Sequence, residues 1–213
     1  MVINIILGIL LLACVASLFK DGLWSNAVRL INVIFAALLA MNYFEPLANA
    51  LDGWQPNYTF VWDFLSLWAI FAVASIILKA LTDQLSQVKV KFLKIVDQVG
   101  GLVFAFWIGW VMVCFTLTTF HAAPLSHDFA GFAVDKDEKM FLGTGPDRLW
   151  LAFTQKQSYG VYGHSPANDP NKYVFDPQAQ YMQIYHLRRQ KLESKNKKND
   201  SILVKNGEQW WTD

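Results

Sequence analysis

Four apolar stretches, at about residues 2–19, 27–44, 60–80 and 99–120, constrain this chain more than anything else in it. A bilayer's hydrocarbon takes about 20 residues of helix to cross, and roughly 17 can suffice. Each stretch meets that length, so the segment 1–120 is predicted to be a membrane domain of four transmembrane helices. The first stretch resembles a secretion signal, and Leu11-Leu12-Ala13-Cys14 resembles a lipoprotein cleavage box. No positive charge precedes it and its apolar run is long for a signal core, which predicts a retained first span.

Beyond Phe120 the chain is polar. Lys and Arg number six against six Asp and Glu up to that residue, and twelve against eleven after it. Neither half has the basic excess that nucleic-acid binding requires. Cys14 and Cys114 both lie in apolar runs, where small core residues are expected rather than a disulfide or a zinc site.

The connections differ in character. In the first, residues 20–26, Ser25 or Asn26 is placed to cap the second helix. Pro46, Gly53 and Pro56 in the second predict a break after Phe44. In the third, Leu81, Leu85, Val88, Phe92 and Ile95 recur at helical spacing beside Lys89, Lys91 and Lys94. An apolar stripe flanked by lysines predicts an amphipathic helix lying in the membrane interface before the fourth span. All six Lys and Arg of this half fall at the first and third connections. The positive-inside rule therefore places those connections in the cytoplasm and both termini outside it.

Within the spans, Gly101, Ala105 and Gly109 share one helical face, with Gly100 beside them. Small residues four apart let helix backbones approach closely, so this face is the expected packing seam. Arg29, one turn into the second helix, and Asp97, at the head of the fourth, lie at one level and are a candidate intramembrane ion pair. Asp63, near the outer end of the third span, is expected to be solvated.

These features together resemble the colicin V production (CvpA) family: a basic connection with glycine (Lys20-Asp21-Gly22), Arg29, and Asp97-Gln98-Val99-Gly100-Gly101 followed by Ala105 and Gly109. The resemblance covers about residues 1–120. Where the family pattern has an arginine after the aspartate this chain has Gln98; Ala105 replaces the middle glycine, and Ile108 an arginine often found there. The resemblance implies a bacterial inner-membrane protein linked to colicin V production and envelope maintenance, with no established catalytic residue. Some relatives carry a trypsin-like protease domain on the same four-span unit.

The 93 residues after Phe120 are too few for the two barrels of such a protease, and Gly-x-Ser-x-Gly is absent. His121, His127, His164 and His186 lack metal-ligand spacing, so no metal or cofactor is expected. The tail reads as an extracytoplasmic extension, mostly helical or irregular. Pro146 and Asp147 open a short helix over 148–155, Asp176 and Pro177 open one running to about Lys195, and 202–204 with Trp210-Trp211 read as a closing strand or hook. The basic run 188–198 reads as a solvated helix end.

The chain is thus expected to be a non-enzymatic anchor or scaffold whose partners are the bilayer and other envelope proteins. An oligomeric channel or transport component is the first alternative, since four spans can line a path only as a homo-oligomer. A membrane-anchored envelope enzyme is the second, and no cluster of acids, histidines or nucleophiles supports it.

Overall fold

The computed structural model describes residues 2–85, 93–125, 141, 143–160, 169, 171 and 174–208, without the side chains of 57, 59 and 195–208. Every regular element among them is helical: α1 (Val2–Leu18), α2 (Gly22–Trp54), α3 (Thr59–Leu85), α4 (Lys94–Ala122), α5 (Pro146–Tyr159) and α6 (Tyr181–Glu208), with a 3-10 turn at Pro56–Tyr58. Three of them, α2, α3 and α4, are long and apolar enough to cross a membrane, whereas α1 is a shorter apolar helix of 17 residues.

Several sequence expectations need correction. Pro46 does not end α2, which continues to Trp54. The predicted interfacial helix is not a separate element among the described residues: Leu81 and Leu85 belong to the last turns of α3, and Lys94 and Ile95 to the first turn of α4. Val88, Phe92, Lys89 and Lys91 lie outside the described residues. In the tail, α5 begins at Pro146, and α6 begins at Tyr181, later than expected. Asp176 still caps α6, from a turn before it: its carboxylate accepts from the N–H of Gln180 at 2.7 Å and of Tyr181 at 3.0 Å. The backbone of 202–204 is helical within α6 rather than a strand or hook, while Trp210 and Trp211 lie outside the described residues.

Helix α4 is the hub, packing against all five other helices. The contacts run antiparallel to α1 and parallel to α2. Ile3 and Leu7 of α1 meet Val113 and Leu117 near the C-terminal end of α4, and Gly22 of α2 meets Gly101 near its start. A larger core joins Ala36, Ala37, Ala40 and Phe44 of α2 to Leu67 and Phe71 of α3 and Phe115 of α4. Alanines on α2 allow the close approach that lets Phe71 stack on Phe115 with ring centroids 4.7 Å apart.

The small residues of α4 lie at close contacts. Ala105 is fully buried, and a Cβ added at Gly101 would lie 3.1 Å from the Gly22 carbonyl carbon. One added at Gly109 would lie 2.8 Å from Leu11 Cδ1 and 3.2 Å from the Leu11 carbonyl oxygen. The seam therefore seats α1 and the α1–α2 turn. Backbone atoms cannot move aside as a side-chain tip can, so Gly109→Leu is expected to destabilise the fold by about 3 kcal/mol or more, the upper part of the overpacking range. Gly8→Leu, at a position with nothing within 4 Å, is expected to be tolerated. Unfolding of purified protein in mixed micelles compares the two.

Candidate functional site

Two polar junctions hold the ends of the bundle. The first gathers the C-terminus of α1, the N-terminus of α2 and the first turns of α4. Asp21 precedes α2 but makes no side-chain cap to it. The cap comes from 74 residues away: Asp97 Oδ1 accepts from the N–H of Leu23 at 2.9 Å. A carboxylate there answers an orphan donor and the positive end of the helix dipole. Gly22 makes room for it, with φ +74° and a site for a Cβ only 2.8 Å from Asp97 Oδ2.

Asn26 completes this junction. It is fully buried, and its amide donates to the carbonyl of Leu18 at 2.8 Å and to that of Gly101 at 3.0 Å. The Leu18 carbonyl also accepts from the N–H of Asp21 at 3.0 Å, and the Asn26 side chain adds a bond that ties the end of α1 to α4. Its place in the sequence suits a cap of its own helix, and it bridges two others instead. The signal was present: an asparagine next to an apolar span is costly unless every group finds a partner.

Arg29 does not pair with Asp97. Its guanidinium bonds Asp21 at 2.6 Å and Asn26 Oδ1 at 3.2 Å. Arg29 lies six residues beyond Leu23, about 9 Å along the axis, whereas Asp97 sits over the helix start and is answered by backbone. Gly100 packs on Leu23, and Lys94 is exposed.

The second junction fixes the tail across the other end of α2, α3 and α4. Asp63 is not solvated but nearly buried; it accepts from the Tyr185 hydroxyl at 2.7 Å and pairs with Arg188, both on α6. Burial first, then the neighbouring Tyr181 and Asp63, pushes the Tyr185 phenol above its ordinary value, so it stays protonated and donates. Arg189 donates to the carbonyls of Phe120 and His121, each at 3.3 Å, and so caps the C-terminus of α4. His121 bonds Asp147 at 2.9 Å with both side chains buried. Trp150 of α5 sets its ring edge-on to Phe115 at 6.5 Å. No residue of this second set has a bundle-holding role legible from sequence, because its partners lie up to 125 residues apart.

Mutations at the two junctions have distinct expected outcomes. Asn26→Leu is expected to cost about 1–3 kcal/mol, the loss of two hydrogen bonds at about 0.5–1.5 kcal/mol each, while Arg29→Gln and Asp97→Asn combine additively in a double-mutant cycle read by unfolding in mixed micelles. Asp63→Asn is expected to cost about 1–2 kcal/mol, between exposed and buried pairs, and to speed amide exchange in α6 more than in α2.

No curated protein and no solved structure matches the chain. The family model described as Colicin V production protein matches residues 3–133. That segment contains α1 to α4, Asn26, Asp97 and the small-residue seam, as well as Asp63 and His121, whereas Asp147, Tyr185 and Arg188 lie beyond it. With more than half its length matched, and with apolar helices of membrane-crossing length, the chain is a membrane protein belonging to the colicin V production family.

Proposed function

We propose that this protein is a non-enzymatic scaffold of the bacterial inner membrane, serving colicin V production or envelope maintenance by displaying its tail to other envelope proteins. The observation that carries this reading is how the tail's polar groups are used. Tyr185, Arg188, Arg189 and Asp147 grip the ends of the bundle, and the His121–Asp147 pair is sealed from solvent. Groups that could serve catalysis are thereby spent on holding the tail in place.

Four spans are included in the proposal. At 1.5 Å per residue, α1 is about 26 Å long, a little less than the hydrocarbon thickness of about 30 Å that a shorter helix meets by local thinning. The charge distribution supports a cytoplasmic α1–α2 turn and external termini. The tail then stands outside, with Leu149 and Phe153 exposed together on one face of α5. That face suits an envelope partner, whereas Trp150 and Tyr181 are buried against the bundle.

Orientation and role are tested separately. In a background lacking Cys14 and Cys114, an impermeant thiol reagent applied to whole spheroplasts is expected to label Ser165→Cys and not Gln87→Cys; the reverse pattern overturns the orientation. Photo-crosslinkers at Leu149 and Phe153 are expected to capture the same envelope protein in native membranes. Empty capture, together with ion flux through purified protein in liposomes, would replace the scaffold with a channel.

A further inference from the structure

We propose that the cavity between α2 and the start of α6 is a binding site for an amphipathic primary amine. The cavity has a volume of about 920 Å³, within the span of about 300–1,000 Å³ typical of small-molecule sites. One wall is the face of α2 around Pro46. A proline offers no N–H, so the carbonyl of Asn42, four residues earlier, loses its helical donor. Beside it stands Glu45, whose carboxylate has no hydrogen-bond partner among the described residues.

The facing wall belongs to the tail and sets an apolar patch of Phe175, Tyr181 and Ile184 beside the polar Gln178 and Gln180. The other charges that line the cavity are already engaged. Asp63 holds Arg188 and Tyr185, and Asp176 holds the first N–H groups of α6. Three carboxylates, Glu45, Asp63 and Asp176, thus line the cavity against the single guanidinium of Arg188, and of the three only Glu45 has no hydrogen-bond partner among the described residues.

A ligand that suits these walls brings donors and a positive charge to α2 and an apolar body to α6. A primary ammonium carries three donors and no acceptor, which fits a carboxylate beside a carbonyl that Pro46 deprives of its helical donor. An anion would meet Glu45 with like charge, and a neutral apolar body would strip water from that carboxylate without replacing it. The ammonium comes either from a soluble amine or from the ethanolamine headgroup of a phospholipid. The second source alone rests on α2 lying in a bilayer.

Full-length protein in dodecyl maltoside micelles is titrated calorimetrically with n-hexylamine, with n-hexanol as its uncharged match, and with dihexanoyl phosphatidylethanolamine. Saturable binding is expected for an amine and not for hexanol. Charged hydrogen bonds are worth about 1.5–3 kcal/mol, so Glu45→Gln is expected to weaken amine binding about tenfold or more. Ile184→Trp, which fills the cavity from α6 without touching the acid, is expected to abolish it. Binding of the phospholipid with the same dependence on Glu45 identifies the lipid source, and binding of hexylamine alone identifies a soluble amine. The proposal is overturned if hexanol binds as well as hexylamine, if Glu45→Gln leaves amine binding unchanged, or if neither amine binds saturably.

Discussion

A helix that stops inside a bundle leaves carbonyls at one end and N–H groups at the other, and wherever those groups are buried no water satisfies either. The rest of this structure depends on how the α1–α2 turn meets that demand. Asn26 bonds the carbonyl of Leu18, and Asp97 accepts the N–H of Leu23. The Asp97 bond needs α4 within reach, as does the second bond of Asn26, to the carbonyl of Gly101, and α4 comes within reach because Gly101 meets the backbone of Gly22 with no side chain between them. Close packing and polar satisfaction are therefore one arrangement. Bulk at the seam would push away the acceptors that make the turn tolerable.

The opposite end of α4 meets the same demand by other means. There the last carbonyls are capped by Arg189, delivered by a helix that begins far along the chain. This explains how burial changes along α4. Its first half is buried along the Gly101–Ala105 side while Leu102, Val103 and Phe106 stay exposed, whereas from Val113 to Thr119 every residue is buried. Both halves are apolar in sequence. One keeps a side facing outward from the bundle, and the other is enclosed by α1, α2 and α3 with the tail completing the cover.

That difference also marks what the sequence could disclose. Helices were legible from apolar length, and the seam from the spacing of Gly101, Ala105 and Gly109, because both depend on residues near each other in the chain. The partner of the seam was not legible, since nothing local says that Gly109 meets Leu11. Reading Arg29 against Asp97 failed for a related reason: matching side-chain charges overlooks backbone N–H groups, which carry no letter in the sequence. Asp63 looked solvated for want of a nearby cation, and its cation is Arg188, 125 positions later. Pro46 was a sound local signal overridden by tertiary packing.

The override at Pro46 connects the tail to the bundle. A proline inside a helix costs about 3 kcal/mol or more, and α2 stays helical through it only where packing on both sides offsets that cost. Phe44, just before the proline, is buried against the core and meets Tyr181 of α6 edge-on at 6.4 Å; Ala48, just after it, is buried as well. The tail thus lies against the same turn of α2 that Pro46 weakens, and it grips α3 through Asp63 and α4 through Arg189. The extension supplies part of the packing that keeps α2 and α4 whole: it covers the turn that Pro46 weakens and caps the carbonyls at the end of α4.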